Sequence, residues 1–98
     1  MHVIADICIV PITGRVSVRE EVKRAHQILQ ATGLKVNLHA YGTNIEGEWD
    51  EVFAAIKRCH EVVHEMGAPR ISTNLRLGTR VDRGQSMDDK IRSVEEKL

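Results

Sequence analysis

Two stretches of the sequence carry residue types that do chemistry. The first is His60-Glu61-Val62-Val63-His64, an HExxH pattern. Two histidines one helical turn apart present nitrogens to a single zinc ion, and the glutamate between them polarises the bound water of a metal-dependent hydrolase. His64-Glu65-Met66-Gly67 extends the pattern toward a longer form closed by a third histidine. Arg70 stands where that histidine belongs, and a guanidinium does not ligate a metal ion. Val52, Ile56, Cys59, Val63 and Met66 mark the buried stripe of a helix over this segment, which places His60 at its edge, His64 nearer solvent and Glu61 on the far side. The sequence therefore predicts an accidental match and no metal.

The second stretch is Tyr41-Gly42-Thr43-Asn44-Ile45-Glu46-Gly47-Glu48-Trp49-Asp50, which holds two of the three aromatic residues together with a hydroxyl, carboxylates and two glycines. Aromatic faces, a hydroxyl and a carboxylate suit a flat, cationic, hydrogen-bonding heterocycle. The same composition fits an ordinary connection, with Trp49 in the core at a helix start, Gly42 and Gly47 in turns, and Glu46 in solvent.

The elements around these stretches follow from periodicity. Val3, Ala5, Ile7 and Ile9 alternate with Ile4, Asp6, Cys8 and Val10, which predicts a strand ended by Pro11. Ser17 with Glu20 has capping-box spacing, and Val18, Val22, Ala25 and Leu29 continue a helix over 18–31 that Gly33 closes. Leu34 to Tyr41 alternates as a strand, Gly42 marks a turn, and Thr43 to Glu46 is a short extended piece. Asp50 and Glu51 open the second helix, and Met66-Gly67-Ala68-Pro69 stops it. Ile71, Thr73, Leu75 and Leu77 predict a last long strand, and Ser86 with Asp89 opens a third helix carrying Met87, Ile91, Val94 and Leu98. The order predicts an α+β fold: a ferredoxin-like βαββαβ antiparallel sheet with two helices on one face and an extra C-terminal helix. The other face mixes Asp6, Cys8, Asn37, His39, Ser72 and Asn74 with Ile4 and Val10, short groups that suit a second copy of the chain better than water.

Composition narrows the partners. Ninety-eight residues with 42% apolar content suit a single domain over 1–98. Fourteen basic residues balance fourteen acidic ones, so no net field draws in nucleic acid or an anionic membrane. An RNA-binding sheet also requires strand aromatics for base stacking, and the strands carry no such pair. The apolar run from Ile7 to Thr13 is far shorter than the roughly 20 residues of a membrane span, and no basic leader precedes it, which predicts a cytoplasmic protein. Cys8 and Cys59 form no CxxC pair and read as small buried hydrophobes in a reducing compartment.

The stretch from Tyr41 to Asp50, continued by Glu51-Val52, closely resembles the signature of the thiamine-binding protein family. The resemblance extends to Ile9-Val10-Pro11-Ile12, Ser17-Val18, Ile56-Lys57, His60-Glu61 and Thr79-Arg80-Val81-Asp82, and to Lys90-Ile91-Arg92-Ser93-Val94 with Lys97-Leu98. It implies the ferredoxin-like fold, homodimers that pair into tetramers, and non-catalytic binding of thiamine or its hydroxymethylpyrimidine half by a carrier, store or sensor, with no cofactor. Tyr41 departs from the family's usual methionine, and Pro11-Ile12-Thr13-Gly14 carries one extra residue before its glycine.

An aminopyrimidine needs an acceptor for its amine and a donor for a ring nitrogen, roles open to Glu46 and Thr43. The cationic thiazolium favours aromatic faces, which only Tyr41 and Trp49 offer, Phe53 being placed for the core. Ser17 at the first helix N-terminus, and Asp6 and Asn37 on the polar sheet face, complete the candidate ligand-binding set, each with an equal reading as a cap or interface group. A metal hydrolase and a ligand-free structural oligomer stand as the alternatives.

Overall fold

The computed structural model describes every residue from Met1 to Leu98. Seven elements follow one another: β1 (His2–Ile12), α1 (Arg19–Ala31), β2 (Lys35–His39), β3 (Gly42–Glu48), α2 (Trp49–Glu65), β4 (Arg70–Thr79) and α3 (Met87–Glu95). The strands form one sheet in the order β2-β3-β1-β4, and each neighbouring pair is antiparallel. This is the ferredoxin-like arrangement expected from the element order: two interlocked βαβ units with β1 and β3 at the centre.

Strand alternation divides the sheet. Val3, Ala5, Ile7 and Ile9 of β1 and Ile45 of β3 face α1 and α2, where they join Ala25, Leu29, Val52, Cys59 and Val63 in the core. Each large apolar side chain buried there contributes on the order of 1.5–3 kcal/mol. Burial pushes the Cys59 thiol up to about 11, and its sulfur donates to the Ala25 carbonyl at 3.4 Å. Cys59 is thus the buried hydrophobe expected, whereas Cys8 on the other face is only partly covered.

On that open face the cross-strand register sets two rows, Asn37–Asn44–Asp6–Arg76 and Lys35–Glu46–Ile4–Gly78. The third helix starts over this face. Met87 N–H donates to Glu46 Oε2 at 3.1 Å and Lys35 pairs with Asp88 at 3.2 Å, while Ser86 and Asp89 form the expected capping box. Of its expected apolar stripe only Met87 is buried; Ile91, Val94 and Leu98 are exposed.

Several boundaries differ from the sequence expectation. Pro11 does not end β1, because β3 stops pairing at Ile7 and Pro11 sits opposite Ile71 of β4 where one edge of β1 is free, a position proline tolerates. The Ser17–Glu20 capping box does not form: the helix starts one residue later with Val18 as its uncapped N-cap, so Ser17 lies outside it. The third helical residue is then Glu21, which is 3% exposed and takes the guanidinium of Arg15 from the preceding loop. In α2 the inner stripe is Val52, Ala55, Cys59, Val62 and Val63, with Met66 exposed. The hairpin turn falls at Ala40–Tyr41, so Gly42 is the first residue of β3.

Two predictions follow from these contacts. A Cβ on Gly42 would collide with the carbonyl oxygen of Ile7, so Gly42→Ala is expected to cost about 1–3 kcal/mol by overpacking. A lower urea midpoint at constant slope checks this, and an unchanged midpoint refutes it. The Arg15 hydrogen bond holds the Glu21 carboxyl below its ordinary value of 4.5. A depressed native carboxyl adds stability that is complete above the unfolded value and declines as pH falls through the native one. Arg15→Ala should therefore lower the melting temperature at pH 7 and flatten its decline below about pH 4.5; equal melting curves for the two proteins across pH 2–7 would refute the coupling.

Candidate functional site

Two clefts lie toward opposite ends of β1: the first wraps from the helix face round Cys8, Val10 and His39, and the second lies on the open face. The first, of about 270 Å³, opens between α1, the end of β1 and the β2–β3 hairpin. Eleven of its fifteen lining residues are hydrophobic, so it suits a flat apolar ring. Ile7 and Ile9 come from β1, Val18 from the N-cap of α1, Val22 and Leu29 from α1 itself, and Leu38 and Tyr41 from the hairpin. Its polar groups include Thr43, which is 5% exposed and whose hydroxyl meets His26 Nδ1 at 3.0 Å. A hydroxyl both donates and accepts, so the tautomer of His26 decides which of these Thr43 offers to a ligand. Sequence reasoning missed His26. It stands four residues after Val22, a spacing that places both on one side of a helix.

Tyr41 lies at the mouth of this cleft, 87% exposed, with its backbone N–H held by His39 Nδ1 at 3.2 Å. On the open face His39 Nε2 meets Asp6 Oδ1 at 2.6 Å, and Asn44 Nδ2 donates to the same oxygen at 3.3 Å. Asn37 is exposed beside Asn44 in the same row. Ser17 is exposed and lines neither cleft.

Glu46 is separated from Thr43. Three positions apart on a strand, the two side chains point to opposite faces, so the stretch from Tyr41 to Asp50 does not gather its groups into one site. Glu46 is 9% exposed; its Oε2 meets His2 Nε2 at 3.0 Å and accepts the Met87 N–H. It lines the second cleft, of about 430 Å³, together with Gly78 and the segment that leads into α3. Trp49 lies in neither cleft. Its ring packs on Phe53 with centroids 4.7 Å apart, and its backbone N–H donates to the Met1 carbonyl at 2.9 Å.

The HEVVH histidines turn to separate partners. His60 Nε2 meets Thr73 Oγ1 at 2.6 Å, bridging α2 to β4, and His64 Nδ1 meets the Ala68 carbonyl at 2.7 Å, closing the helix C-terminus. Their ring centroids are 6.3 Å apart. Nowhere in the chain are three His, Cys, Asp or Glu side chains grouped to hold a metal ion, and no helix is long and apolar enough to cross a membrane.

Comparison with known proteins places this architecture. A Synechocystis protein of the UPF0045 group is 58% identical over 95 residues, covering 97% of this chain and 78% of its own length. An Eremothecium gossypii protein of the same group, ECM15, is 44% identical over all of this chain and 94% of its own. Among solved structures, the hypothetical protein MJ1052 of Methanocaldococcus jannaschii superposes with a TM-score of 0.89 at 30% identity, covering 97% of each chain. A Thermotoga maritima protein provisionally assigned to thiamine biosynthesis or salvage shares the fold, with a TM-score of 0.84 at 21% identity over 96% of this chain and 99% of its own. The family description "Thiamine-binding protein" matches residues 5–95, and this chain belongs to that family.

Proposed function

We propose that the apolar cleft binds the aminopyrimidine ring of thiamine, or of its hydroxymethylpyrimidine half, without chemical change. The observation that carries this reading is the hydrogen-bonded pair of buried Thr43 and half-buried His26 in the wall of a mostly apolar cleft. Apolar side chains from α1 and β1 accept the faces of the ring, and the hydroxyl meets its polar edge. At about 270 Å³ the cleft is near the ~300 Å³ lower limit of small-molecule sites. Its size suits one substituted ring better than all of thiamine, which leaves the cationic thiazolium at the mouth against the face of Tyr41. Ser17, Asp6, Asn37, Glu46 and Trp49 stay outside this reading, because none of them lines the cleft. The protein then acts in the cytoplasm as a carrier, store or sensor.

Assembly belongs to the same proposal. The open sheet face carries Val10 and Ile12 exposed among short polar groups, and α3 exposes Ile91 and Val94 beside it. Two copies meeting through such surfaces give dimers that pair into tetramers. Light scattering at micromolar concentration is expected to give about four times the 11.0 kDa chain mass, and a single chain mass removes this part of the proposal.

Calorimetric titration with thiamine and with hydroxymethylpyrimidine tests the site. Thr43→Val should weaken both by on the order of 1–2 kcal/mol, because a ring nitrogen or amine loses its partner, and Thr43→Ser should restore most of the loss. Tyr41→Ala should weaken thiamine more than the neutral pyrimidine. Folded wild-type protein that binds neither compound overturns the reading.

A further inference from the structure

The larger cleft, beneath the start of α3, is of a different chemistry. Of its ten lining residues only Ile4 is hydrophobic. Arg80 is fixed at its rim: Asp82 takes its Nε at 2.6 Å and Nη2 at 2.9 Å, and Gln85 takes Nη1 at 3.1 Å. That pairing holds the Asp82 carboxyl down at about 2 and answers the charge of Arg80. Arg83 lines the same cleft and forms no ion pair, although it is near enough to Asp82 and Asp89 to favour their charged forms. Glu46 is half used: Oε2 is taken by His2 and Met87, whereas Oε1 makes no hydrogen bond within the chain.

The floor adds an independent observation. Gly78 lies in the row Glu46–Ile4–Gly78 near the end of the ten-residue strand β4. Its φ is not positive, and no atom lies within 4 Å of where its Cβ would sit. Neither backbone conformation nor packing within the chain requires glycine there. Glycine inside a strand weakens it and often marks a close approach by something else.

We propose that this cleft is a second ligand site, for a small molecule that carries a phosphate or carboxylate group and, beside it, a hydrogen-bond donor. Arg83 receives the anion through the forked N–H geometry of its guanidinium, while Arg80, whose own fork is held by Asp82, shapes the rim. Glu46 Oε1 accepts from the donor, and the bare floor at Gly78 admits the body of the molecule. The site lies toward the other end of β1 from the apolar cleft, shares no lining residue with it and does not rest on the thiamine reading. A second copy of the chain is the competing occupant; the polar lining and the spare Arg83 favour a small anion.

Titration at constant ionic strength with phosphoethanolamine, β-alanine and ethyl phosphate tests the proposal. The first two join an ammonium donor to a phosphate or a carboxylate, and the third lacks the donor. At least one of the first two is expected to bind saturably and at least fivefold more tightly than ethyl phosphate, and which of them binds identifies the anion. Arg83→Gln should weaken it at least tenfold. Gly78→Val, which suits a strand and fills the floor, should abolish it while circular dichroism, oligomer size and the response to thiamine stay as in wild type. No saturable binding by any of the three overturns the proposal, as does binding unchanged in both variants. A change of oligomer size in Gly78→Val overturns it in favour of a second copy seated on the floor.

Discussion

β1 is hydrogen-bonded along both edges, to β3 from His2 to Ile7 and to β4 from Val3 to Ile12, while Val3, Ala5, Ile7 and Ile9 lie against the helices. A strand tied on both sides cannot slip by one residue without turning its whole apolar set toward water. That register fixes β3, and β3 fixes what the segment between the hairpin and α2 can do. Thr43 must face α1 and Glu46 must face away, so the apolar and the polar cleft draw on alternate positions of the same strand.

Two buried carboxylates fasten the irregular segments to this frame. Glu21 holds the loop before α1 through Arg15, and Glu46 holds the start of α3 through a backbone N–H, with His2 beside it. Removing a carboxylate from water costs several kcal/mol unless hydrogen bonds answer it. Each carboxylate here has one oxygen bonded and the other without a hydrogen bond in the chain. For Glu21 the unbonded oxygen is sealed inside the protein, so its tie is structural. Glu46 instead borders a cleft, which makes it an anchor that still has capacity to accept.

The histidines show how packing, rather than spacing, sets the partner of each ring. His60 and His64 satisfy the HExxH pattern, yet each completes a hydrogen bond that the fold itself needs, one to Thr73 of β4 and one to the carbonyl that ends α2. His26 belongs to no motif and contacts the buried hydroxyl of the apolar cleft. Partners brought together by packing, rather than neighbours in sequence, decide what an imidazole does.

The sequence by itself determined the order and kind of every element, the ferredoxin-like topology and the family, because strand and helix periodicity are local and the stretch from Tyr41 to Val52 is contiguous. It also identified the Ser86–Asp89 cap, whose two partners lie within one turn. The limits of β1 and α1 needed the tertiary structure: whether Pro11 continues a strand depends on which edge β3 leaves free, and α1 starts after Val18, which leaves Ser17 outside it. So did the division of the candidate residues. Tyr41, Thr43, Glu46 and Trp49 are close in the chain, but the two-residue period of a strand and the turn into α2 send their side chains to different surroundings. His26 and Arg83 joined the two clefts from positions 17 and 37 residues distant from Thr43 and Glu46. Contacts of that span exist only once β1 has paired on both sides and the helices have closed over one face.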